Sequence, residues 1–224
     1  MKGIDAVIFT GGEDIGPTLL RTPTDWCGIE AEIDFNAARD ISDYLLMSYC
    51  LDKDIPVMGF CRGMQMLSVV SGASMISDIP LYFENHHTDY DNMHRNLKIT
   101  PDSYRDYAPH PIVLVGEDTL LSEIYGTSEV EKVPSWHHQA VKSVEDTSLI
   151  VTAKTETNGI DIIEAVERTD KSFAVGLQFH PEAAAVKHLE KAENAAQFMD
   201  YSAAMQCFDY FIHFVRENAL SKAA

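Results

Sequence analysis

Basic residues are scarce in this chain of 224 residues. Its 17 lysines and arginines stand against 35 aspartates and glutamates, and the formal net charge at pH 7 is −18. An electrostatic field of that sign repels the phosphates of nucleic acids and the headgroups of anionic lipids. We therefore expect that neither nucleic acid nor a membrane is a partner of this protein. The charge does not identify a substrate.

Long apolar runs and targeting signals are also missing. No stretch approaches the roughly 20 consecutive apolar residues of a membrane-spanning helix, and the first residues, MKGID, do not have the pattern of a signal peptide. The four cysteines are far apart and form no C-x-x-C pair, which argues against a zinc ribbon and against a disulfide framework. They are Cys27, Cys50, Cys61 and Cys207. A reducing, cytoplasmic setting fits this pattern.

Recognisable metal-binding motifs are absent as well. The polar segment 77–110 contains His86, His87, His94 and His110, but their spacing matches no standard ligand pattern. The chain also has no H-E-x-x-H sequence of the kind that binds catalytic zinc. We therefore expect no metal site and no cofactor.

The elements that are present predict an α/β protein. Apolar residues make up 46% of the chain, and no internal repeat or low-complexity linker interrupts it, so we expect a single domain over residues 1–224. A buried strand at 6–9, an amphipathic helix at 33–51 and a strand at 55–60 predict a βαβ unit with a right-handed crossover. Further on, a turn at 157–159 predicts a pair of antiparallel strands.

Cys61 is the strongest candidate for a reactive residue. It follows an apolar strand at the point where a helical pattern begins, and Gly59 and Gly63 are the small neighbours that a nucleophile on a strained turn requires. Backbone N–H groups at the start of the helix would stabilise the thiolate, which is the reactive form of cysteine. The alternative is a buried cysteine that only packs.

A cysteine nucleophile needs a base and a group that orients the base. His180 follows the apolar strand 173–179, at the carboxyl edge of the predicted sheet. Glu182 lies two residues further on, where its carboxylate can accept a hydrogen bond from the imidazole. An H-x-E sequence also occurs in zinc deaminases, but the P-C-x-x-C partner of those enzymes is missing here. His138 is the competing candidate for the base.

The oxyanion that forms on an attacked carbonyl needs two N–H donors. Arg62, the residue after the nucleophile, would supply one of them from its backbone. The Gly11-Gly12 turn at the end of the first strand is the candidate for the other. Taken alone, this Gly-Gly sequence would equally fit a plain turn from strand to loop.

Four motifs in this order resemble the class I glutamine amidotransferase-like superfamily. They are TGGED at 10–14, GFCRGMQ at 59–65, SWHHQ at 135–139 and QFHPE at 178–182. The resemblance is to the γ-glutamyl hydrolase branch, peptidase C26, which includes the γ-glutamyl-γ-aminobutyrate hydrolases. Arg39-Asp40 and the segment 159–166 also resemble that branch. The resemblance implies a three-layer α/β/α sandwich around a mostly parallel sheet, with a flavodoxin-like topology.

The resemblance also implies a reaction and a set of roles. Such a protein hydrolyses the γ-glutamyl amide bond of a small γ-glutamyl substrate, and Cys61 forms a γ-glutamyl thioester. His180 would act as base and then as acid, with Glu182 orienting it. The backbone N–H groups of Gly12 and Arg62 would hold the oxyanion. The glutamyl amino and carboxylate groups would be bound by Gln65, Ser135, Trp136 and His137.

Relatives in this branch usually begin further upstream, with a βαβ segment before the Gly-Gly turn that this sequence does not show. We expect either that the native start lies upstream or that the sheet edge is completed otherwise, for instance by a second subunit in a homodimer. Two other functions stay open. One is a glutaminase module that passes ammonia to a synthetase partner, and the other is a non-catalytic binding member of the superfamily.

Overall fold

The chain is described by a computed structural model that covers residues 3–21, 34–91, 93–95 and 107–223. Its strands are β1 (Val7–Phe9), β2 (Val57–Phe60), β3 (Ser74–Ile76), β4 (Ala108–Leu114), β5 (Glu129–Ser135), β6 (Ala140–Ser143), β7 (Leu149–Thr157), β8 (Ile160–Arg168) and β9 (Ala174–Leu177). Its helices are α1 (Ala37–Asp52), α2 (Arg62–Val70), α3 (Ile79–Asn85), α4 (Leu120–Tyr125), α5 (Pro181–Leu189) and α6 (Tyr201–Ala223), with short 3₁₀ turns at Pro17–Leu19 and Ala195–Gln197. In this part of the chain, none of the helices combines the length and the apolar composition that crossing a bilayer requires.

The nine strands form one mixed sheet. Along its main path the order is β1-β2-β9-β8-β7-β4-β5, and β6 pairs with β8 and with β3. Strands β1, β2 and β9 run parallel, whereas the other pairs among the described strands are antiparallel. The predicted α/β fold is confirmed. The expected parallel pairing applies to the three strands that lead into the site, and antiparallel strands extend the sheet beyond them.

Helices cover both faces of this sheet. Side chains alternate along β2, so that Val57 packs with α1 and α2, whereas Met58 and Phe60 belong to a core shared with α4, α5 and α6. All four residues of β2 are buried, which explains their continuous apolar sequence. Strand β2 therefore contributes side chains to a core on each face of the sheet, as the predicted three-layer arrangement requires.

Local signals fix the starts of two helices and one hairpin. The side chain of Asn36 accepts hydrogen bonds from the first turn of α1, so this helix begins at Ala37, later than predicted. Asp78 caps α3 in the same way, with Pro80 in the first turn, in a segment where we predicted no element. The predicted antiparallel pair is confirmed as β7 and β8, joined through Asn158 and Gly159 at φ 49° and 80°.

Strand β1 lies at one edge of the sheet. In the described part of the chain it pairs with β2 alone. Ile8 on this strand and Ile41 and Leu45 on α1 are large apolar side chains that are exposed to solvent. A homodimer that covers this edge stays a prediction, as does the single-domain organisation.

Candidate active site

Cys61 lies at the turn between β2 and α2. It occupies the N-cap position of α2 with φ 49° and ψ −105°, a strained conformation for a residue other than glycine. Its backbone N–H donates a hydrogen bond to the carbonyl oxygen of Leu177 on β9 (2.7 Å). The residue is only 6% exposed. The predicted strand-to-helix turn is therefore present, with its backbone strain located at the cysteine.

Three glycines allow the strands to approach α2 closely. A Cβ atom on Gly59 would overlap the backbone of Gly63, and a Cβ atom on Gly63 would overlap the backbone of Phe9 at the end of β1. Gly176 on β9 lies in the same way against Met64. These contacts hold the turn against the carboxyl ends of the three parallel strands, so the predicted small neighbours are required by packing.

His180 and Glu182 lie just beyond the carboxyl end of β9. His180 is the N-cap residue of α5, and its Nδ1 lies 2.6 Å from Oε1 of Glu182 in the first turn of the helix. Because an ionised carboxylate only accepts hydrogen bonds, Nδ1 carries a proton and Nε2 is left for proton transfer. Nε2 is buried, and it has no hydrogen-bond partner in the described part of the chain.

The turn at Gly11 brings His180 and Cys61 to the same place. A Cβ atom built on Gly11 would lie 2.9 Å from Cε1 of His180 and 3.6 Å from Cβ of Cys61. Burial lowers the pKa of His180, but the Cys61 sulfur and the Glu182 carboxylate outweigh burial and raise the pKa to about 10. An imidazole held in this position can take the proton of the thiol, as the activation of a cysteine nucleophile requires.

Arg39 on α1 fixes the Gly-Gly turn. Its guanidinium donates a hydrogen bond to the carbonyl oxygen of Gly11 (2.9 Å) and forms an ion pair with Glu13 (2.6 Å). Gly12 has φ 156°, and a Cβ atom there would overlap the same guanidinium. The turn therefore requires glycine at this position. In the sequence Arg39 is only part of a family resemblance, whereas in the structure it positions the turn.

The side chain of Arg62 is an anchor within the protein. It is 1% exposed, its Nη2 donates to Oδ1 of Asp40 (2.6 Å), and its Nη1 pairs with Asp43. Asp40 also accepts a hydrogen bond from the backbone N–H of Gly16 (3.1 Å). These bonds tie α1 to the first turn of α2. As the first residue of α2, Arg62 has a backbone N–H without an acceptor inside the helix, as the predicted oxyanion role requires.

A cavity of about 310 Å³ opens beside Cys61. Four other predicted site residues line it, namely Gly12, Gln65, Trp136 and His137. The remaining lining residues are Glu13, Asp14, Asp34, Arg95, His138 and Gln139. The wall therefore offers carboxylates together with cationic side chains, which suits a ligand that carries charges of both signs.

Buried glutamines connect α2 to the wall of the cavity. Nε2 of Gln65 donates hydrogen bonds to the carbonyl oxygen of Gln139 (3.1 Å) and to Oε1 of Gln178 (3.2 Å). The side chain of Gln139 in turn bonds both the N–H (2.7 Å) and the carbonyl oxygen (3.1 Å) of Ile15. Gln65 is therefore held facing the cavity and does not fold back on its own helix.

The segment 135–139 joins β5 to β6 and forms the opposite wall. The carbonyl oxygen of Trp136 accepts a hydrogen bond from Sγ of Cys61 (3.7 Å). Ser135 departs from the prediction, because its fully buried hydroxyl contacts Nε2 of His110 (2.6 Å) and not the cavity. The sequence motif cannot reveal this difference, since neighbouring residues of a strand point to opposite faces.

His138, the competing base, has both ring nitrogens occupied. Nε2 lies 2.9 Å from Oδ1 of Asp14, and Nδ1 lies 3.4 Å from Oδ2 of Asp78. Burial lowers the pKa of His138, but the two carboxylates outweigh burial and raise the pKa to about 9. Because each nitrogen faces a carboxylate, this imidazole offers no lone pair to the thiol of Cys61. The geometry favours His180 as the base.

Several charged residues of this site were not predicted from the sequence. Asp14 lies two residues after the Gly-Gly turn, so its place at the same edge of the sheet could have been inferred from the motif. Asp78 could have been noticed only as a helix cap. Arg95 carries no such signal, because it reaches the cavity from outside the helices and strands and no spacing relates it to Cys61.

Comparison with known proteins decides the family. The family model described as Peptidase C26 matches residues 1–182. The chain belongs to the Peptidase C26 family. Its relatives agree with this membership.

Three relatives illustrate the agreement. The γ-glutamyl-γ-aminobutyrate hydrolase PuuD of Escherichia coli K12 is 31% identical over 154 residues, a match that covers 67% of this chain and 55% of that protein. A Rickettsia prowazekii protein named as glutamine amidotransferase-like is 31% identical over 210 residues and is covered to 72%, with 81% of this chain matched. Protein NtpR of Enterococcus hirae is 32% identical over 179 residues, which cover 80% of this chain and 67% of NtpR.

Two solved structures establish the fold. The CTPS glutaminase domain of Trypanosoma brucei with bound acivicin has a TM-score of 0.55 at 16% identity, with 96% of this chain and 72% of that chain covered. A Thermoplasma acidophilum protein provisionally described as a component of GMP synthase has a TM-score of 0.56 at 15% identity. The match covers 100% of this chain and 78% of that chain. The family and its relatives support an enzyme of the glutamine amidotransferase-like hydrolase type.

Proposed function

We propose that the protein hydrolyses the γ-glutamyl amide bond of a small γ-glutamyl amine. The observation that carries this proposal is the strained Cys61, which lies beside an imidazole oriented by Glu182 and opens into a cavity with charges of both signs. The relative named γ-glutamyl-γ-aminobutyrate hydrolase supports this substrate class. The chain spans only 55% of that relative's length, so the relative alone does not define the substrate. The charges that line the cavity support the same substrate class.

The first half of the reaction forms an acyl enzyme. The thiolate of Cys61 attacks the γ-carbonyl carbon, a C–S bond forms, and the carbonyl oxygen takes up the negative charge. As the tetrahedral intermediate collapses, the C–N bond breaks and the proton on Nε2 of His180 passes to the leaving nitrogen. The products of this step are the free amine and a γ-glutamyl thioester on Cys61.

The second half releases glutamate. Nε2 of His180, now a free base, takes a proton from water as the water oxygen attacks the thioester carbon. The C–S bond breaks, and the thiolate of Cys61 is restored beside the imidazolium. Glu182 stabilises that imidazolium through the 2.6 Å contact to Nδ1 and keeps the ring in one orientation.

The two tetrahedral intermediates need donors for their oxyanion. We assign this role to the backbone N–H groups of Gly12 and Arg62. Gly12 lines the same cavity as Cys61, and Arg62 begins the helix directly after it. The positive end of α2 adds to their effect. Arg39 and Asp40 hold these two backbone segments in place from α1.

The glutamyl group carries an ammonium and a carboxylate on its α-carbon, and the cavity offers a match for each. Glu13, Asp14 and Asp34 line it as groups that can face the ammonium, and Arg95 lines it as a partner for the carboxylate. We assign polar contacts to Gln65 and to the segment that carries Trp136 and His137, all of which line the cavity. We assign none to the Ser135 side chain, because it is buried against His110.

The test is release of glutamate by the purified protein from γ-glutamyl-γ-aminobutyrate and from glutamine. We expect turnover of the γ-glutamyl amine, loss of turnover in Cys61→Ala, and retained turnover in Cys50→Ala, which removes a buried cysteine of the core on α1. Absence of turnover on both substrates, together with failure of iodoacetamide to label Cys61, would refute an enzymatic function and favour a non-catalytic binding protein.

A glutaminase that supplies ammonia to a synthetase is the second candidate. The relative named as glutamine amidotransferase-like favours it. Its signature in the same assay is ammonia release from glutamine that depends on a partner protein, with little turnover of the γ-glutamyl amine.

A further inference from the structure

A second cluster of titratable side chains lies buried next to the cavity. It consists of His94, His110, His137 and Glu164, which are between 0% and 4% exposed. Glu164 comes from β8 and His110 from β4, while His137 lies between β5 and β6. Apart from His137, whose segment lines the cavity, no residue of this cluster takes part in the proposed reaction, so the cluster needs a separate explanation.

The polar atoms of the cluster converge on one carboxylate oxygen. Oε1 of Glu164 lies 3.3 Å from Nδ1 of His94, 3.8 Å from Nε2 of His110 and 3.7 Å from Nε2 of His137. Ligand atoms of His94, His110 and Glu164 all lie within 4.8 Å of one another. Three of these side chains, His94, His110 and Glu164, therefore surround one small volume, and His137 adjoins it through Glu164.

Several of these atoms have no hydrogen bond. Both ring nitrogens of His94, Nε2 of His137 and both carboxylate oxygens of Glu164 are buried without a partner in the described part of the chain. A buried polar atom without a partner costs about 1–3 kcal/mol. Five such atoms in one place indicate that a group which would satisfy them together belongs there.

The tautomers show which kind of group is needed. Nδ1 of His110 donates to the carbonyl oxygen of Pro111 (3.0 Å), and Nδ1 of His137 donates to the carbonyl oxygen of Gln139 (2.9 Å). In neutral rings the lone pairs are therefore on Nε2. That of His137 has no hydrogen-bond partner among the described residues, and that of His110 accepts from the hydroxyl of Ser135 (2.6 Å). Histidines that bind metals usually donate the N–H of their other ring nitrogen to a group such as a backbone carbonyl.

We propose that His94, His110, His137 and Glu164 bind one divalent metal ion of the zinc type. Imidazole nitrogens with one carboxylate suit zinc and its first-row neighbours better than calcium or magnesium. Tetrahedral bonds of about 2.0–2.1 Å place ligand atoms about 3.3–3.4 Å apart. His94, His110 and Glu164 need only small side-chain shifts to reach this geometry, whereas His137, 3.7 Å from Glu164, must also move closer to the other two histidines. On metal binding, Nε2 of His110 would exchange its hydrogen bond to Ser135 for a metal bond.

Four protein ligands leave no open coordination position, so the ion is structural and not catalytic. The position of the ion in the fold also affects the wall of the cavity. This part of the inference rests on the proposed function. His137 lies in the segment 135–139 that lines the cavity opposite Cys61. A metal bond to His137 would therefore fix the wall against which the substrate binds.

This inference departs from the expectation that no metal site exists. The sequence offers no short ligand spacing, because the four ligands lie at 94, 110, 137 and 164. The pairing of β4 with β5 and β7, and of β7 with β8, brings His110, His137 and Glu164 together, and the backbone N–H of His137 donates to the carbonyl oxygen of His94 (3.0 Å). Motif spacing alone cannot detect a site assembled in this way.

The test uses the full chain without a histidine tag. Because the cluster is buried, zinc is supplied during expression or during refolding from denaturant, and the dialysed protein is analysed by mass spectrometry for metal content. We expect about one zinc ion per chain, as in closed structural sites. Co²⁺ loaded in the same way should give the visible absorption bands of a tetrahedral site. Glutamate release is not part of this measurement, so failure of the metal proposal would be distinct from failure of the proposed function.

The variants separate this cluster from surface binding. Glu164→Gln and His94→Asn should lose zinc at least about ten-fold, whereas His213→Asn, which removes an exposed imidazole on α6, should retain it. If the two cluster variants fail to fold, the unsubstituted protein is the test. Its Tm with zinc should exceed its Tm in EDTA by about 4 °C or more. The proposal would be overturned if the unsubstituted protein bound no metal and had the same Tm with zinc and with EDTA. Equal zinc content in all folded variants would also overturn it. Protons would then be what neutralises Glu164.

Discussion

Nδ1 of His180 lies 2.6 Å from Oε1 of Glu182, two residues further along the chain. The contact joins the N-cap residue of α5 to the first turn of the same helix, so the sequence HPE alone sets its geometry. It leaves Nε2 as the nitrogen for proton transfer beside Cys61. Orientation and charge stabilisation of the base are therefore local properties, whereas its placement against the nucleophile depends on the parallel strands.

Removing the charge of Glu182 should lower the pKa of His180. The carboxylate is one of the groups that raise this pKa to about 10. Glu182→Gln should therefore move the alkaline limb of the pH profile of kcat/KM to lower pH, because the imidazolium loses its anionic partner. The same shift should appear in the rate at which iodoacetamide alkylates Cys61. Unchanged limbs in both profiles would show that Glu182 does not act on the base.

The two candidate bases should differ in their variants. His180→Asn should lower kcat by about 10²–10⁴-fold, the usual contribution of a general base, and Glu182→Gln should lower it less. His138→Asn should retain more activity than His180→Asn, because both ring nitrogens of His138 face Asp14 and Asp78. An active His180→Asn beside an inactive, folded His138→Asn would reverse the assignment.

The Arg62 anchor should contribute strongly to stability. Asp40→Asn removes a carboxylate from a guanidinium that is 1% exposed, so the free energy of unfolding should fall by about 3 kcal/mol. Denaturant unfolding measures this change. Asp161→Asn is the matched control, since it breaks an exposed pair with Lys154 and should change the free energy by less than about 1 kcal/mol. Equal effects of the two substitutions would contradict the anchoring role.

His138 should make stability depend on pH in a defined window. Asp14 and Asp78 raise its pKa from an ordinary 6.5 to about 9, against burial and the nearby Arg95. Because the folded state holds this proton more tightly, the contribution is complete below pH 6.5 and is lost as pH rises through about 9. Denaturant unfolding of His138→Gln should therefore lose part of this alkaline slope, whereas His213→Gln should keep it. Identical slopes in both variants would contradict the buried imidazolium.

Features set by neighbouring residues could be predicted from the sequence. The turn at Cys61 follows from an apolar strand, two glycines and a helical pattern within a few positions, and the His180–Glu182 contact follows from the HPE sequence. The βαβ unit and the β7–β8 hairpin depend on equally local signals. In each case the interacting groups are close in the chain, or the pattern of apolar residues marks the strands that carry them.

Features that depend on distant pairings could not be predicted. His138 meets Asp14 across 124 positions, and Arg62 meets Asp40 across a helix boundary. Ser135 faces His110 because of its register in β5, and a shift of one residue would have pointed it to the other side. The additional antiparallel strands likewise follow from tertiary pairing, which no single motif encodes.

The central claim is that Cys61 becomes acylated by a γ-glutamyl group. It is tested most directly by mixing the enzyme with γ-glutamyl-γ-aminobutyrate, quenching with acid during turnover, and measuring the mass of the intact protein followed by peptide mapping. We predict an added γ-glutamyl group on the peptide that contains Cys61, sensitive to hydroxylamine as a thioester is, and absent from Cys61→Ala. Glutamate release without any adduct on Cys61, or undiminished release by Cys61→Ala, would contradict the account.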